Sequence, residues 1–384
     1  MKQLRIPAAF IRGGTSNAVV FDQKHLPADR KQWDEIFMAA IGSPDPYGRQ
    51  LDGMGGGLSS LSKVCVVGRS SRPDIDVDYT FAQILVKDAK VDYTTMCGNM
   101  SSAIGPFAID EGMVSADDEQ ALVRIYSTNT GKTVHARFPV RDGEAVVDGD
   151  LEIPGVAGTG APVKLEFRNP GGATTGTLLP TGHVVDTLDV PGVGRIRASM
   201  VDAANACVFV NAADVGLKGN EMPEALEQNE AMMKKLGAIR LAASVAMGIA
   251  STAGEAAQKP SVPFIGFVSP AQNSPSLSAN SIKAGDCDFT ARMLSNGQPH
   301  RALPLTCTVC LAIAARIVGS VVHGATRATD GDLRIAMPSG VLTVAADVRK
   351  LEGQWHAEQG AVYRTQRRMF EGQVLLRPSR VAGR

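Results

Sequence analysis

Short apolar stretches separated by turn residues dominate the first half of the chain. Seven stretches rich in β-branched and aromatic residues are divided by clusters of Gly, Pro, Asp and Asn, a pattern typical of strands. They cover residues 3–11, 17–21, 62–68, 75–86, 122–127, 132–140 and 163–169. This half is therefore predicted to be rich in β-sheet.

Two helices are predicted in the same half. Residues 30–42 end at Gly42, a residue typical of a helix C-terminus. The second helix follows Cys97, runs to Gly112 and is apolar on every face, as in a helix enclosed by a sheet. Pro106 lies inside it and is expected to kink it if it continues.

The second half has a similar plan. Residues 170–183 are dense in Gly, Pro and Thr and form the predicted connection between the halves. The elements predicted after it are strands at 194–202, 206–212, 262–269, 286–294, 333–348 and 361–376, a long helix at 222–250 and an apolar helix at 305–319. Each half thus carries one apolar helix that follows an extended segment.

The 384 residues are enough for two hydrophobic cores, because single cores stop growing beyond roughly 250–300 residues. We predict domains at 1–185 and 186–384, with a last strand at about 360–378 that can return to the first domain. The N-termini of the helices at 97–112 and 305–319 are expected to face one interdomain cleft. Their free N–H groups and dipoles would bind carboxylates there.

Charge gives no indication of a large polyanionic partner. The chain has 39 basic and 39 acidic residues, so no nucleic-acid or membrane partner is predicted. The N-terminus lacks a signal-peptide pattern and no apolar stretch is long enough to span a bilayer, so a cytoplasmic protein is expected. A small charged ligand would be held locally, and the sequence leaves a homodimer open.

Six cysteines are too few for a disulfide scaffold in an unsecreted chain of this length. Cys65 and Cys207 lie in strand-like runs, and Cys307 and Cys310 form a C-x-x-C pair with no second pair to complete a zinc site. All four are predicted to be buried. Cys97 differs, because it stands where a strand leads into a helix.

An ordered set of short segments covers nearly the whole chain. The segments are RGGTS (12–16), GSPDPY (42–47), DGMGG (52–56), SK (62–63), DVDYTFAQ (76–83), CGN (97–99), GPFAIDEG (105–112), LPTGHVVD (179–186), VFVNAADVGLKGNE (208–221), PSG (338–340) and RTQRRMFEG (364–372). In this set the chain resembles the PrpF-type isomerases, which include 2-methylaconitate cis-trans isomerase, 3-methylitaconate Δ-isomerase and 4-oxalomesaconate tautomerase. The resemblance implies an α+β, diaminopimelate-epimerase-like fold. Two similar domains would each wrap a mostly antiparallel sheet around a central apolar helix.

The resemblance also implies a reaction, a 1,3-allylic proton shift in a small unsaturated di- or tricarboxylic acid. The acid loses a proton γ to a carboxylate, passes through a dienolate and regains a proton at the α carbon with the double bond moved. Such chemistry needs a positioned base and stabilisation of the spreading charge. It needs no metal or cofactor.

Lys63 fills the lysine position of the SK segment and is the expected base, and Cys97 matches the family's active-site cysteine. Taken alone, Lys63 would be a strand-end lysine that extends to water, and Cys97 a buried, inert thiol. A lysine acts as a base only where its surroundings favour the neutral amine. A cysteine at a helix N-terminus has a stabilised thiolate and is able to exchange a proton with the substrate.

Substrate-binding residues are expected to be hydroxyl, amide and backbone N–H donors in these segments. They are Thr15, Ser16, Asn17, Gly55, Gly56, Gly98, Asn99 and Thr306. Turn chemistry or helix capping explains several of these positions almost as well. Arg12 is a further candidate, as a carboxylate clamp or as a surface pairing residue.

Three residues depart from the family pattern and bear on the substrate. Asn17 stands where lysine is usual, Met96 where asparagine is usual and Met337 where histidine is common. The loss of positive charge predicts a different or less charged acid. Two alternatives stay open: an epimerase or racemase of the same fold that acts on an α carbon, and a catalytically inactive protein that binds small carboxylates.

Overall fold

A computed structural model describes residues 2–94, 96–116, 119–278 and 280–381. The chain forms two compact units, Met1–Leu165 with Arg364–Arg384, and Glu166–Tyr363. The last strand therefore belongs to the first unit. The predicted boundary at residue 185 lies inside the second unit.

The described residues form eight α-helices and 21 strands, besides short 3₁₀ turns. The helices are α1 (Trp33–Ile41), α2 (Gly98–Asp110), α3 (Ala212–Val215), α4 (Pro223–Glu227), α5 (Glu230–Ala246), α6 (Ala253–Ala257), α7 (Leu305–Arg316) and α8 (Val321–Ala325). The strands are β1 (Leu4–Gly13), β2 (Ser16–Asp22), β3 (Lys63–Arg69), β4 (Val77–Ile84), β5 (Val91–Asp92), β6 (Glu119–Ser127), β7 (Thr133–Arg141), β8 (Glu144–Ala145), β9 (Leu151–Glu152), β10 (Thr159–Gly160), β11 (Val163–Arg168), β12 (Asp186–Val190), β13 (Gly194–Ala203), β14 (Asn205–Asn211), β15 (Phe264–Pro270), β16 (Phe289–Ser295), β17 (Gln298–Pro299), β18 (Leu333–Met337), β19 (Gly340–Leu351), β20 (Gln354–Arg364) and β21 (Gln366–Leu376).

The sheet of the first unit has the strand order β21, β1, β2, β3, β4, β6, β7. Two of its pairs, β2 with β3 and β4 with β6, are parallel, and the others are antiparallel. The parallel pairs need crossover connections, and α1 and α2 lie within these two connections. The sheet is consequently mixed but mostly antiparallel.

The two helices cover opposite faces of this sheet. Val19, Phe21, Val64 and Val66 pack in one cluster with the apolar side of α1. The alternate residues of β2 and β3 face α2, because successive strand side chains point to opposite faces. Helix α2 is buried from Met100 to Ile109 and packs on β1, β2, β3, β6, β7 and β21. A helix with no exposed side over this length is stable only when a sheet encloses it.

The second unit repeats this plan. Its strand order is β12, β13, β14, β15, β16, β18, β19, with β14–β15 and β16–β18 parallel. Helix α7, buried from Cys307 to Ala315, occupies the place of α2, and α5 packs on the outer face. Two similar units, each a mostly antiparallel sheet around an apolar helix, confirm the predicted α+β class.

A carboxylate–guanidinium pair recurs at the same place in both units. Arg124 on β6 donates its backbone N–H and its guanidinium to Asp76, just before β4. Arg334 on β18 makes the same three contacts with Asp288, just before β16. Each pair joins the two parallel strands of its unit. It satisfies a carboxylate that would otherwise be buried without partners.

Several predicted elements end at different residues in the structure. The helix predicted at 222–250 is two helices, since the Asn229 side chain accepts the Met232 N–H and starts α5. The strand predicted at 361–376 is interrupted at Thr365, between β20 and β21. Helix α2 continues through Pro106 to Asp110, and α1 ends at Gly42, which adopts a left-handed φ of 87°. No helix of the described ranges is long and apolar enough to cross a membrane.

The Asp288–Arg334 pair generates a stability prediction. We expect Asp288→Asn to lower the free energy of unfolding by about 1–3 kcal/mol, measured by urea denaturation at pH 7. Burial raises the pKa of Asp288, but the Arg334 hydrogen bonds outweigh it and the net pKa is lowered. A lowered folded-state pKa stabilises above the ordinary carboxyl value of about 4, so the difference from wild type should shrink below that pH.

Asp189→Asn is the matched control. Asp189 is exposed and lies 3.9 Å from Arg195, so its loss should change the free energy of unfolding by less than about 0.5 kcal/mol. Equal effects of the two substitutions, or a difference for Asp288→Asn that grows in acid, would show that the buried pair does not stabilise the unit.

Candidate active site in the first unit

The turn between β1 and β2 packs directly on the first turn of α2. Gly14 has a left-handed φ of 52°, and a Cβ atom there would lie 2.4 Å from Asn99 Oδ1. A Cβ atom on Gly13 would lie 2.8 Å from the Asn99 carbonyl oxygen. The two glycines in the RGGTS segment thus allow the hairpin to approach the helix this closely. Arg12 Nη1 donates to Gly14 O and to Thr365 and so holds the same turn.

Asn99 links this turn to Arg364, the last residue of β20. Its Nδ2 donates to Thr15 Oγ1 at 3.1 Å, and its Oδ1 accepts from Arg364 Nε at 3.1 Å. A guanidinium only donates, so Arg364 fixes the orientation of the Asn99 amide. The Thr15 hydroxyl therefore accepts from Asn99 and keeps its own proton for another acceptor. Burial lowers the pKa of Arg364 to about 10, which leaves a cation beside the N-terminus of α2.

Lys63 is the first residue of β3 and is 8% exposed. It shares a strand face with Cys65, the face that α2 covers. Its Nζ donates to Gln83 Oε1 at 2.5 Å and lies 5.0 Å from the centre of the Phe81 ring. Gln83 is its register partner on β4. The lysine is thus held by a neutral acceptor rather than by a carboxylate.

Cys97 is the N-cap residue of α2 and is half-buried, and its side chain makes no capping hydrogen bond to the helix. Both Cys97 and Lys63 influence the pKa of the buried Cys65 thiol. Burial raises the pKa of Cys65, the Cys97 thiol raises it further and Lys63 lowers it. Cys97 and Lys63 therefore both lie within electrostatic range of the same buried sulfur atom.

The loop before β3 is organised around one buried glutamine. Gln50 Nε2 donates to Ser43 Oγ, and its Oε1 accepts from Gly57 N and Ser62 Oγ. The N–H groups of Gly55 and Gly56, expected to bind substrate, donate to Ile41 O and Leu61 O. The structure thus gives these two glycines a part in shaping the loop, and their N–H groups are occupied.

The remaining predicted residues of this unit lie at the start of β2 and around the start of α2. Ser16 is buried at the start of β2, on the strand face of Lys63. Gly98 opens α2, and its N–H is among the four at a helix N-terminus that lack an intrahelical acceptor. Strand alternation places Asn17 with Val19, on the face that α1 covers. Met96 is half-buried immediately before Cys97.

Thr306 lies in the second unit, at the start of α7. Its Oγ1 accepts from Asn205 Nδ2 at 3.3 Å, a contact that corresponds to the pairing of Thr15 with Asn99. Met337 Sδ accepts the Leu303 N–H just before α7. A site between the two halves, expected from the sequence, stays a prediction.

The second unit has no proton-transfer side chains at the positions of Lys63 and Cys97. The first residue of the corresponding strand β15 is Phe264, and the N-cap of α7 is Pro304. Cys307 lies three residues further along and is fully buried. Neither phenylalanine nor proline carries a side-chain proton to exchange, so the two units differ in chemistry although they share a fold.

Sequence reasoning did not identify Gln83, Gln50 or Arg364. Gln83 and Arg364 lie in the quoted segments DVDYTFAQ and RTQRRMFEG, which marked the stretches but not the roles of these residues. Arg364 is 265 residues from Asn99 in the chain. No local pattern predicts such a contact, and the buried pairing appears only once the last strand lies beside β1.

Comparisons with known proteins agree over nearly the whole chain. Residues 3–377 match the family described as PrpF protein. The 3-methylitaconate isomerase of Eubacterium barkeri is 41% identical over 383 residues, which cover 99% of each chain. The 2-methyl-aconitate isomerase of Cupriavidus necator is 38% identical over 384 residues, which cover 97% of each. A crystal structure of methylitaconate-delta-isomerase is 40% identical, with a TM-score of 0.93 over 100% of this chain and 98% of that one.

Thiol exposure gives a direct test of the site. Five of the six cysteines are fully buried, and only Cys97 is half-exposed. Native protein treated with dithionitrobenzoate should therefore release one equivalent of thionitrobenzoate in a fast phase. Cys97→Ala should abolish that fast phase, and protein in guanidinium chloride should react at the remaining sites. A fast phase that survives in Cys97→Ala would mean that another thiol is accessible and that Cys97 is not the exposed cysteine.

Proposed function

This chain belongs to the PrpF family, and from that premise we propose that it is an isomerase that catalyses a 1,3-allylic proton shift in a small unsaturated di- or tricarboxylic acid. Lys63 is the general base and Cys97 the proton donor or acceptor at the other end of the allylic system. The relatives' names support the substrate class, the family resemblance suggests the two residues, and the arrangement of the first unit supports that choice.

One observation carries the assignment of residues. Lys63 lies on the strand face covered by α2, Cys97 is the N-cap of that helix, and both are within electrostatic range of Cys65. A proton shift between two carbons requires a base and an acid that lie close together. The first turn of α2 offers backbone N–H groups, and the buried Arg364 adds positive charge, both of which favour a carboxylate or dienolate.

The proposed steps balance as follows. Neutral Lys63 removes a proton from the carbon γ to a carboxylate, and the electron pair of that C–H bond enters the allylic system to form a dienolate. The Cys97 thiol then gives its proton to the α carbon, and the double bond takes its new position. Lys63 now carries the extra proton and Cys97 is a thiolate. Transfer of one proton from Lys63 to Cys97, directly or through solvent, restores the starting state.

An epimerase with two thiols is the weaker alternative. It needs a second acid or base at the helix that corresponds to α2, and that position holds Pro304. The strand position that corresponds to Lys63 holds Phe264. A single lysine–cysteine pair suits a shift between two carbons of one allylic system better than inversion at one carbon.

The experiment is proton exchange in D₂O with a panel of aconitates, methylaconitates, methylitaconate and oxalomesaconate. We expect one or more acids to show double-bond migration with deuterium at the α or γ carbon by proton NMR. Lys63→Met and Cys97→Ala should each lower the rate by about 10²–10⁴-fold, the usual contribution of a positioned acid or base.

Lys234→Met is the matched control, because Lys234 is exposed in the second unit and its removal should leave the rate unchanged. Deuterium at a stereocentre without double-bond migration would favour the epimerase. Saturable binding of a panel acid with no exchange would favour a binding protein. Full activity in Lys63→Met would remove this residue from the mechanism.

A further inference from the structure

The orientation of Lys63 depends on the side-chain amide of Gln83. Gln83 Nε2 lies 3.0 Å from Ser59 O and 3.0 Å from Ser62 O, and its Oε1 lies 2.5 Å from Lys63 Nζ. A flipped amide would point its oxygen at two carbonyl oxygens and its NH₂ at an ammonium. The amide therefore has one acceptable orientation, with its oxygen towards the lysine.

The loop around Gln50 supplies the two carbonyl groups that fix this amide. Residues 59–61 form a short 3₁₀ turn, and the Ser62 hydroxyl that follows donates to Gln50 Oε1 at 2.7 Å. Gln50 is almost fully buried and also holds Ser43 and Gly57. A buried polar group that bonds three parts of a loop keeps that loop in one conformation. The loop thus fixes the two carbonyl groups that orient Gln83, and Gln83 in turn orients Lys63.

The titratable groups identified on the strand face of Lys63 and at the start of α2 are two thiols and a phenol. Cys65 shares its strand, Tyr79 lies on β4 and contacts Cys65, and Cys97 caps α2. Strand β2 presents Ser16 and Ala18 on the same face. Arg364 lies beyond Asn99 and is cationic. The immediate acceptor of the lysine is therefore neutral.

A neutral acceptor has a chemical consequence for a base. A carboxylate at hydrogen-bond distance would stabilise the ammonium form of lysine and oppose its use as a base. An amide oxygen accepts a hydrogen bond from the amine or the ammonium and adds no net charge. It aims the nitrogen without fixing the proton on it.

We propose that Gln83 is the positioning residue of the reaction, which aims Lys63 by a neutral hydrogen bond and so sets the pH range in which Lys63 acts as a base. The inference rests on the proposed function, because it assumes that Lys63 is the base. It adds a residue that touches Lys63 and acts through it.

Gln83→Glu tests this with almost no change in shape. With 3-methylitaconate or 2-methylaconitate as substrate, we expect the rise of kcat/KM with pH to move about 1–3 pH units higher, and most of the activity to return at high pH. Gln373→Glu is the matched control, since Gln373 is exposed on β21 and the same added charge there should leave the profile in place. A profile that does not move in Gln83→Glu overturns the inference.

A second measurement needs no turnover. In protein labelled with ¹³C at lysine Cε, the resonance missing from Lys63→Met belongs to Lys63, and its titration midpoint should rise by about 1–3 pH units in Gln83→Glu.

Gln83→Met is a further test variant. Loss of the acceptor should lower kcat about tenfold and change KM less than about twofold, because the base is no longer aimed. A purely structural role would instead lower the melting temperature and leave kcat of the folded protein unchanged.

The two proposals fail in different ways. If Lys63→Met retains proton exchange in D₂O, the proposed base is wrong and the inference falls with it. If Lys63→Met is inactive while both the rate profile and the Lys63 resonance of Gln83→Glu match wild type, only the role of Gln83 is overturned.

Discussion

The burial of α2 on every face is the constraint on which the first unit depends. From Met100 to Ile109 the helix has no side open to water, so the sheet must enclose it and only its two ends remain for polar chemistry. The ends of a helix carry unpaired N–H and C=O groups that need partners. We place the proposed site at the N-terminal end because that end combines free donors with positive potential.

Two arginines of the C-terminal segment, Arg364 at the end of β20 and Arg368 on β21, contact the two ends of this helix. Arg364 bonds Asn99 in the first turn, and Arg368, four residues later, lies over the Phe107 ring and pairs with Asp110 and Glu111 at the other end. Carboxylates at a helix C-terminus interact unfavourably with the negative end of the helix dipole, and the positive charge of Arg368 offsets this effect. The distant C-terminal segment that completes the first unit thus brings a cation to each end of the helix. Without it, the helix would lack the cation at each end.

Local features were predictable and long-range ones were not. The end of α1 at Gly42, the apolar α2 and α7, and the strand pattern all follow from neighbouring residues, so they predicted the two-unit plan. The α+β class was implied by the resemblance to the PrpF-type isomerases. The break before α5 arises because Asn229 caps a new helix. The apolar pattern continues through this position, so it did not predict the break. The occupied N–H groups of Gly55 and Gly56 depend on Ile41 O and Leu61 O, whose positions are set by tertiary packing. The same limit applies to Gln83, whose role exists only because β3 and β4 pair in one register.

The two units share a fold, but only the first has a lysine and a cysteine at the proposed proton-transfer positions. The paired strands, the enclosed helix, the Asp–Arg pair and the contact between an asparagine and a threonine at the helix start recur in both, because each is needed to close a sheet around an apolar helix. The residues at the lysine and cysteine positions are not needed for that, and in the second unit they are Phe264 and Pro304. The proposed proton-transfer residues therefore lie in the first unit, where a neutral glutamine accompanies the lysine.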